Sequence, residues 1–467
     1  MFGRGKNKFQ KLHEQQDVQP VLEQHGVPMN TEFFQQHLEY TMKKLQDMFG
    51  KDIVTQKTDP AFIERMKKYM EFLIQQEQWN ITAQDRPRFI QFILDNLLGF
   101  GVLQPLLEDP TITEIMVVGP SKIFIERRGK TELTNAQFAS VEALRLVIDK
   151  IIQPINRRCD ESTPNVDARL PDGSRVSASI APIALNGPYL TIRKFSKKTF
   201  TFDDYIEKNA ISEDMATFLE AAVQAKLNIV VSGGTGSGKT TLLNCLSLYI
   251  SENDRILTIE DNAELQLNHP HLESYEARPM NVEGKGEITI RDLVKNALRK
   301  RPDRLIVGEV RGAETMDMLS AMSTGHDGSL TTGHANSPKE MMNRLEIMTL
   351  FSGMDLPIRA VREMITGAVH LVVQAKRLRD GSRKIVAITE VIGFGKDGAD
   401  RLGLKSYDKD AIILQDIFRF EQSGVDHEGK VIGEFVATGH LPLMLERMES
   451  LGIILDREMF NKKEFTK

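Results

Sequence analysis

Val231-Ser232-Gly233-Gly234-Thr235-Gly236-Ser237-Gly238-Lys239-Thr240-Thr241 fits the phosphate-binding pattern G-x-x-x-x-G-K-[ST] at every fixed position. Its flanks agree with that reading. Leu227 to Val231 is an apolar run of strand length, and Lys239 to Ile250 carries Leu242, Leu243, Leu246 and Tyr249 at helical spacing. The composition suits a triphosphate. Gly233, Gly234, Gly236 and Gly238, interleaved with Thr235 and Ser237, let backbone N–H groups close around phosphate oxygens. The start of the following helix adds its positive dipole end. Lys239, read as an exposed ligand, reaches the β- and γ-phosphates; the Thr240 hydroxyl ligates Mg²⁺, and Thr241 completes the cradle.

Downstream of this loop, apolar strands alternate with helical segments, the signature of an α/β fold with a parallel sheet and crossover helices. Strands are expected at 227–231, 255–259, 304–308 and 329–332, later strands at 370–375 and 383–393, and helices at 355–367 and 440–451. Three polar clusters fall at the C-terminal ends of the earlier strands, where open α/β sheets bind ligands. They are Glu260-Asp261 with Glu264 close behind, Gly308-Glu309, and Thr331-Thr332-Gly333-His334. Leu305 to Glu309 resembles the second motif of phosphate-loop enzymes, with Gly308 where an Asp usually stands. Mg²⁺ then leans on Thr240, waters and another carboxylate, for which Glu260 is the candidate, through water. Glu309 is the candidate to orient or deprotonate an attacking water. A lone Glu would read as a solvated strand end; three such clusters behind one phosphate loop do not. His334 is read as a γ-phosphate sensor and His326 as structural. Ser337-Pro338-Lys339-Glu340 reads as a capping box, and Thr289 to Asp292 starts a helix that runs to the basic cluster Arg299-Lys300-Arg301.

Upstream the pattern changes. Residues 1–30 are rich in Gln, Lys and Gly and read as a mobile tail. Residues 31–100 carry helical periodicity, with Phe33, Phe34, Leu38, Met42 and Leu45 on one face, and read as a small helical bundle whose Met and Phe form its core. Residues 101–195 read as an α+β domain, with strands around Gly119-Pro120 and a turn at Pro171-Asp172-Gly173. Residues 196–202 read as a linker, and 203–467 as the domain that holds the phosphate loop together with a C-terminal extension of helices and strands.

The 467 residues allow about three domains. A net charge of −5 and a sequence pI near 6.1 argue against a dedicated nucleic-acid binder. Cys159 and Cys245 are far apart, which removes a cysteine-based zinc module and a disulfide framework, so no zinc is expected. No apolar run reaches the ~18 residues of a membrane span, and the N-terminus lacks the apolar core of a signal peptide. A cytoplasmic protein is expected, reaching a membrane through partners.

Beyond these motifs the chain resembles the ATPases of type II and type IV secretion systems and type IV pili, with the CpaF-type ATPases of tight-adherence (Tad/Flp) pili as the nearest branch. The resemblance rests on Ser232 to Thr241, Ile259 to Gln266, Arg301 to Gly312 and Thr324 to Asn336, and outside them on Val166 to Val176 and Gly187 to Phe195. It implies a RecA-like phosphate-loop core preceded by the α+β domain, and a homohexamer that hydrolyses ATP with Mg²⁺. It also implies docking on platform proteins at the cytoplasmic face of the inner membrane. In this family Gly308 is no anomaly. Arg175 and Arg193, with Arg169 a weaker third, match the places from which the preceding domain supplies arginines to the phosphates. Two other classes compete: a RecA-like DNA translocase or conjugation-type motor, and a non-hydrolysing nucleotide-dependent scaffold, which the intact Lys239, Thr240, Glu260 and Glu309 count against.

Overall fold

The computed structural model describes residues 32–127, 129–155, 157–195, 199–280 and 284–462. The tail expected at 1–30 and part of the expected linker lie outside these residues. The chain divides into two compact units, Met1–Ser196 and Lys197–Lys467.

In the first unit, three helices, Glu32–Phe49, Pro60–Gln76 and Arg86–Leu97, bury one face each. Phe62, Met66, Met70, Phe89 and Ile93 form their shared core, as helical spacing predicts. Six strands follow: β1 (Ile112–Val118), β2 (Lys122–Arg127), β3 (Lys130–Leu133), β4 (Asn165–Arg169), β5 (Arg175–Ser179) and β6 (Tyr189–Arg193). They form an antiparallel sheet in the order β3-β2-β1-β6-β5-β4. Alternation puts Ile115, Val117, Val176, Leu190 and Ile192 on one face, packed with Leu144, Ile148 and Ile151 of the helix Val141–Ile152. The helices and this sheet are tied together by Lys150, whose Nζ donates to Leu97 O at 3.0 Å and Gly99 O at 2.6 Å.

The second unit is a nine-stranded mixed sheet covered by helices. Its strands are β7 (Ile229–Gly233), β8 (Ile256–Glu260), β9 (Leu272–Glu276), β10 (Arg304–Val307), β11 (Leu330–Gly333), β12 (Leu371–Arg377), β13 (Arg383–Phe394), β14 (Ile412–Val425) and β15 (Val431–Ala437). The order is β15-β14-β13-β12-β7-β11-β10-β8-β9. From β12 to β9 all neighbours are parallel; β12 to β15 form an antiparallel meander. Every residue of β7, β8, β10 and β11 is buried, because helices lie on both faces. The helix expected over 440–451 is confined to Leu445–Ser450, because Leu443 and Met444 use their N–H groups on the Glu390 carboxylate instead. Thr289 and Asp292 form a reciprocal capping box. At Ser337 only half of one exists: Ser337 Oγ accepts from Glu340 N, but the Glu340 carboxylate accepts from Asn336 N.

Candidate nucleotide site

The phosphate loop leaves the buried strand β7 and enters the helix Lys239–Ser247. At Gly233 a Cβ would stand 2.4 Å from Ala375 O, so only glycine lets β12 approach this closely. Gly236 and Gly238 have φ of +72° and +93°, the left-handed conformations that turn the loop back on itself. Ser237 Oγ donates to Gly234 O at 2.8 Å and closes the loop from within. Lys239, expected as an exposed ligand, is only 8% exposed; its Nζ donates to Gly234 O at 3.1 Å and lies 3.3 Å from His334 Nδ1. Burial, joined by the Arg311 charge, lowers the Lys239 pKa; Glu309 and Glu264 oppose that shift. A buried ammonium held on a carbonyl is poised for phosphate oxygens, which supply the charge it lacks.

Parallel strands bring their C-terminal ends to one side, so β8, β10 and β11 deliver Glu260, Glu309 and His334 to the loop. Glu309 Oε2 accepts from Arg311 Nη2 at 2.8 Å, and Arg311 Nη1 lies 3.8 Å from Asp261 Oδ2. Glu309 Oε1 lies 2.9 Å from His334 Nε2, yet it is buried without an aligned hydrogen-bond donor. Burial pushes the Glu309 pKa up, but the Arg311 hydrogen bond and the charges of His334, Arg311 and Lys239 outweigh it, so the group stays a carboxylate. His334 is shifted down by burial and by Lys239, against the pull of Glu309. His334 thus sits between Lys239 on its Nδ1 side and Glu309 on its Nε2 side, without an aligned hydrogen bond to the carboxylate.

Glu260 is 4% exposed. Its Oε1 accepts from Glu264 N at 2.9 Å and Leu265 N at 3.0 Å, which fixes the turn after β8. Burial raises its pKa to about 7, with Glu264 and Glu276 adding to the rise and the two backbone N–H groups opposing it. The carboxylate beside Thr240 is therefore Glu264, whose Oε2 accepts from Thr240 Oγ1 at 3.5 Å. Sequence reasoning noted Glu264 only as a neighbour and gave Arg311 no role. Arg311 stands two residues after Glu309 and turns its guanidinium back onto that carboxylate. Thr240 and Glu264 offer the oxygen donors that suit Mg²⁺, and the glycine turns leave the backbone cradle a polyphosphate needs. His326 lies apart from this cluster, with Nδ1 3.3 Å from Ala321 O.

Arg175 and Arg193 belong to the first unit. They are direct register partners on β5 and β6; Arg169 pairs with Arg175, and Arg193 with Glu114 of β1. The sheet thus lines three arginines in one row on the face opposite its core. Among the described residues no group of three or more His, Cys, Asp or Glu is placed to hold a metal ion, and no single helix is long and apolar enough to cross a membrane.

A family model described as "Type II/IV secretion system protein" matches residues 96–393. The conjugal transfer protein TrbB of Rhizobium radiobacter is 32% identical over 314 residues, covering 67% of this chain and 93% of that protein. The type IV secretion system protein VirB11 of Brucella abortus is 32% identical over 313 residues, covering 61% and 86%. Among solved structures, the VirB11 ATPase from the Brucella suis type IV secretion system, in complex with sulphate, aligns at 30% identity over 62% of this chain and 91% of that one, with a TM-score of 0.34.

Proposed function

Because the chain belongs to the type II/IV secretion system protein family, we propose that it is an Mg²⁺-dependent ATPase that drives assembly or transport at a membrane. The observation that carries this reading is the buried, unaligned Oε1 of Glu309, set in a cluster with His334 and the phosphate-loop Lys239. Such an oxygen is an acceptor for the water that attacks a γ-phosphoryl group. Lys239 and the loop N–H groups hold the β- and γ-phosphates. Thr240, with Glu264 and Glu260 directly or through water, would hold Mg²⁺, which neutralises charge on the phosphates. His334, within reach of Lys239, would meet the γ-phosphate by donating a ring N–H once Lys239 turns to the phosphates. Arg175 and Arg193 meet the transition-state charge, from the same subunit or a neighbour.

The finer reading is a CpaF-type motor for Tad/Flp pili, working as a homohexamer in the cytoplasm against platform proteins of the inner membrane. It rests on the sequence resemblance in Val166 to Val176 and Gly187 to Phe195. A second reading, a conjugation-type motor acting on DNA, is favoured by the conjugal transfer relative; the net charge of −5 counts against it.

Phosphate release by the purified full chain tests the first reading. Lys239→Ala should abolish turnover. Glu309→Gln should bind Mg-ATP and hydrolyse it about a hundredfold more slowly or worse. Wild-type turnover in Lys239→Ala would mean that the site is misplaced. Stimulation of turnover by DNA would move the assignment to the second reading.

A further inference from the structure

The β12–β13 hairpin ends beside the phosphate loop, and the site described so far does not use it. Parallel pairing with β7 carries β12 as far as Ala375 opposite Gly233, so the next residues of the hairpin overhang the loop. There the register places Lys376 opposite Lys384 and Arg377 opposite Arg383. Like charges directly opposite each other destabilise a strand pair. Two of these cations have partners, and a third is exposed and is not among the nearest neighbours of the loop glycines. Lys384 is buried, donates to Asn209 O at 2.6 Å and lies 4.9 Å over the Phe420 ring. Arg383 donates from Nε to Gly236 O at 2.9 Å, and its Cδ is 3.5 Å from where a Cβ on Gly238 would be. Lys376 is exposed on the strand.

Arg377 is different. It is exposed, and among the described residues no hydrogen bond or ion pair holds it. Its Nη1 is 3.7 Å from the position of a Cβ on Gly236, in the middle of the phosphate loop. Asp380 at the hairpin tip does not neutralise it, because its oxygens accept from Ser382 N, Ser382 Oγ and Val431 N.

We propose that the β12–β13 hairpin supplies the bound nucleotide with arginines from within the same unit as the loop. Arg377 contacts the phosphates, and Arg383 is a positioning residue that fixes the loop through the Gly236 carbonyl. The polyphosphate is the missing counter-ion of the Arg377–Arg383 pair. This deepens the ATPase reading and rests on it. A guanidinium on phosphate makes charge-assisted, often paired hydrogen bonds, which a lysine only partly replaces.

Calorimetric titration of Mg-ATP into the full chain provides the test, with nucleotide-free melting measured alongside. Arg377→Ala should weaken Mg-ATP binding about tenfold, with Arg377→Lys between it and wild type, and should not lower nucleotide-free melting, because no partner is lost and the like-charge pair is relieved. Arg377→Glu should move the two readouts in opposite directions: an opposite-charge pair with Arg383 raises the nucleotide-free melting temperature above that of Arg377→Ala, while affinity falls below that of Arg377→Ala. Arg377→Ala that binds Mg-ATP as tightly as wild type, while Lys239→Ala fails to bind, overturns this proposal alone. A wild-type chain that fails to bind Mg-ATP overturns the ATPase reading and this proposal together.

Discussion

At Gly308 a Cβ would stand 2.7 Å from Glu260 Cγ and 3.2 Å from Glu260 Oε1. The acidic residue absent at 308 has in effect moved to the neighbouring parallel strand, where Ile259 pairs with Val307 and Gly308 N donates to Ile259 O at 2.8 Å. Glycine at 308 is what allows Glu260 to fold back onto Glu264 N and Leu265 N. Gly308→Ala should therefore cost about 1–3 kcal/mol through overpacking. Glu260→Ala in the same chain should remove much of that cost, since the two side chains compete for one volume. Urea denaturation of the two single variants and the double variant checks this; strictly additive costs would mean that Glu260 does not fill the space. In the sequence Gly308 is legible only as a departure from a motif. Its reason is a contact between residues 48 positions apart, which no local pattern encodes. The same holds for Glu264 beside Thr240. The backbone of the phosphate loop, by contrast, was legible, because glycine, lysine and hydroxyl spacing states its geometry directly; the burial of Lys239 was not.

At the scale of elements, the start of β7 is pinned by one buried side chain. Asn228 Oδ1 accepts from Gly328 N at 2.9 Å and Ser329 N at 3.0 Å, and Nδ2 donates to Met322 O at 3.0 Å and Ala368 O at 2.7 Å. Its backbone N–H donates to His370 Nδ1 at 2.9 Å. Burial, with the Arg447 charge adding, lowers His370 from 6.5 to about 4. An unfolded chain takes up a proton there below pH 6.5, and the folded one does not. The stability from this group is thus fully present above pH 6.5 and drains away as pH falls toward about 4. Urea midpoints measured across that window should fall in the wild type and fall less steeply in His370→Gln. Equal slopes would show that His370 does not titrate with folding. The central parallel strands were legible because burial on both faces writes an unbroken apolar run. β9, β14 and β15 were not, because Leu272–Glu276, Ile412–Val425 and Val431–Ala437 are partly exposed and mix charge with apolar residues.

At the scale of the molecule, a phosphate loop lies in the second unit and an arginine row across β4, β5 and β6 in the first; the proposed function has them serve one reaction. The resemblance alone picked out these arginines in the sequence; only the register shows Arg175 and Arg193 as direct neighbours. Arg193→Ala should bind Mg-ATP nearly as wild type and lose turnover by about a thousandfold. If Arg193 merely forms a surface ion pair, the change would be about 0–1 kcal/mol in stability and turnover would hold. Mixing Arg193→Ala with Lys239→Ala chains separates the geometries, since recovered activity requires an arginine lent by one subunit to the next.

The family match ends at residue 393, inside β13, which runs from Arg383 to Phe394. On the far side of β13 lies β14, paired with it from Ala387 to Phe394. A chain cut where the shared sequence stops would strip a buried strand of that neighbour and leave its N–H and C=O groups open to any second copy, the usual route into aggregates. The region matched by the family model is thus smaller than the sheet it belongs to.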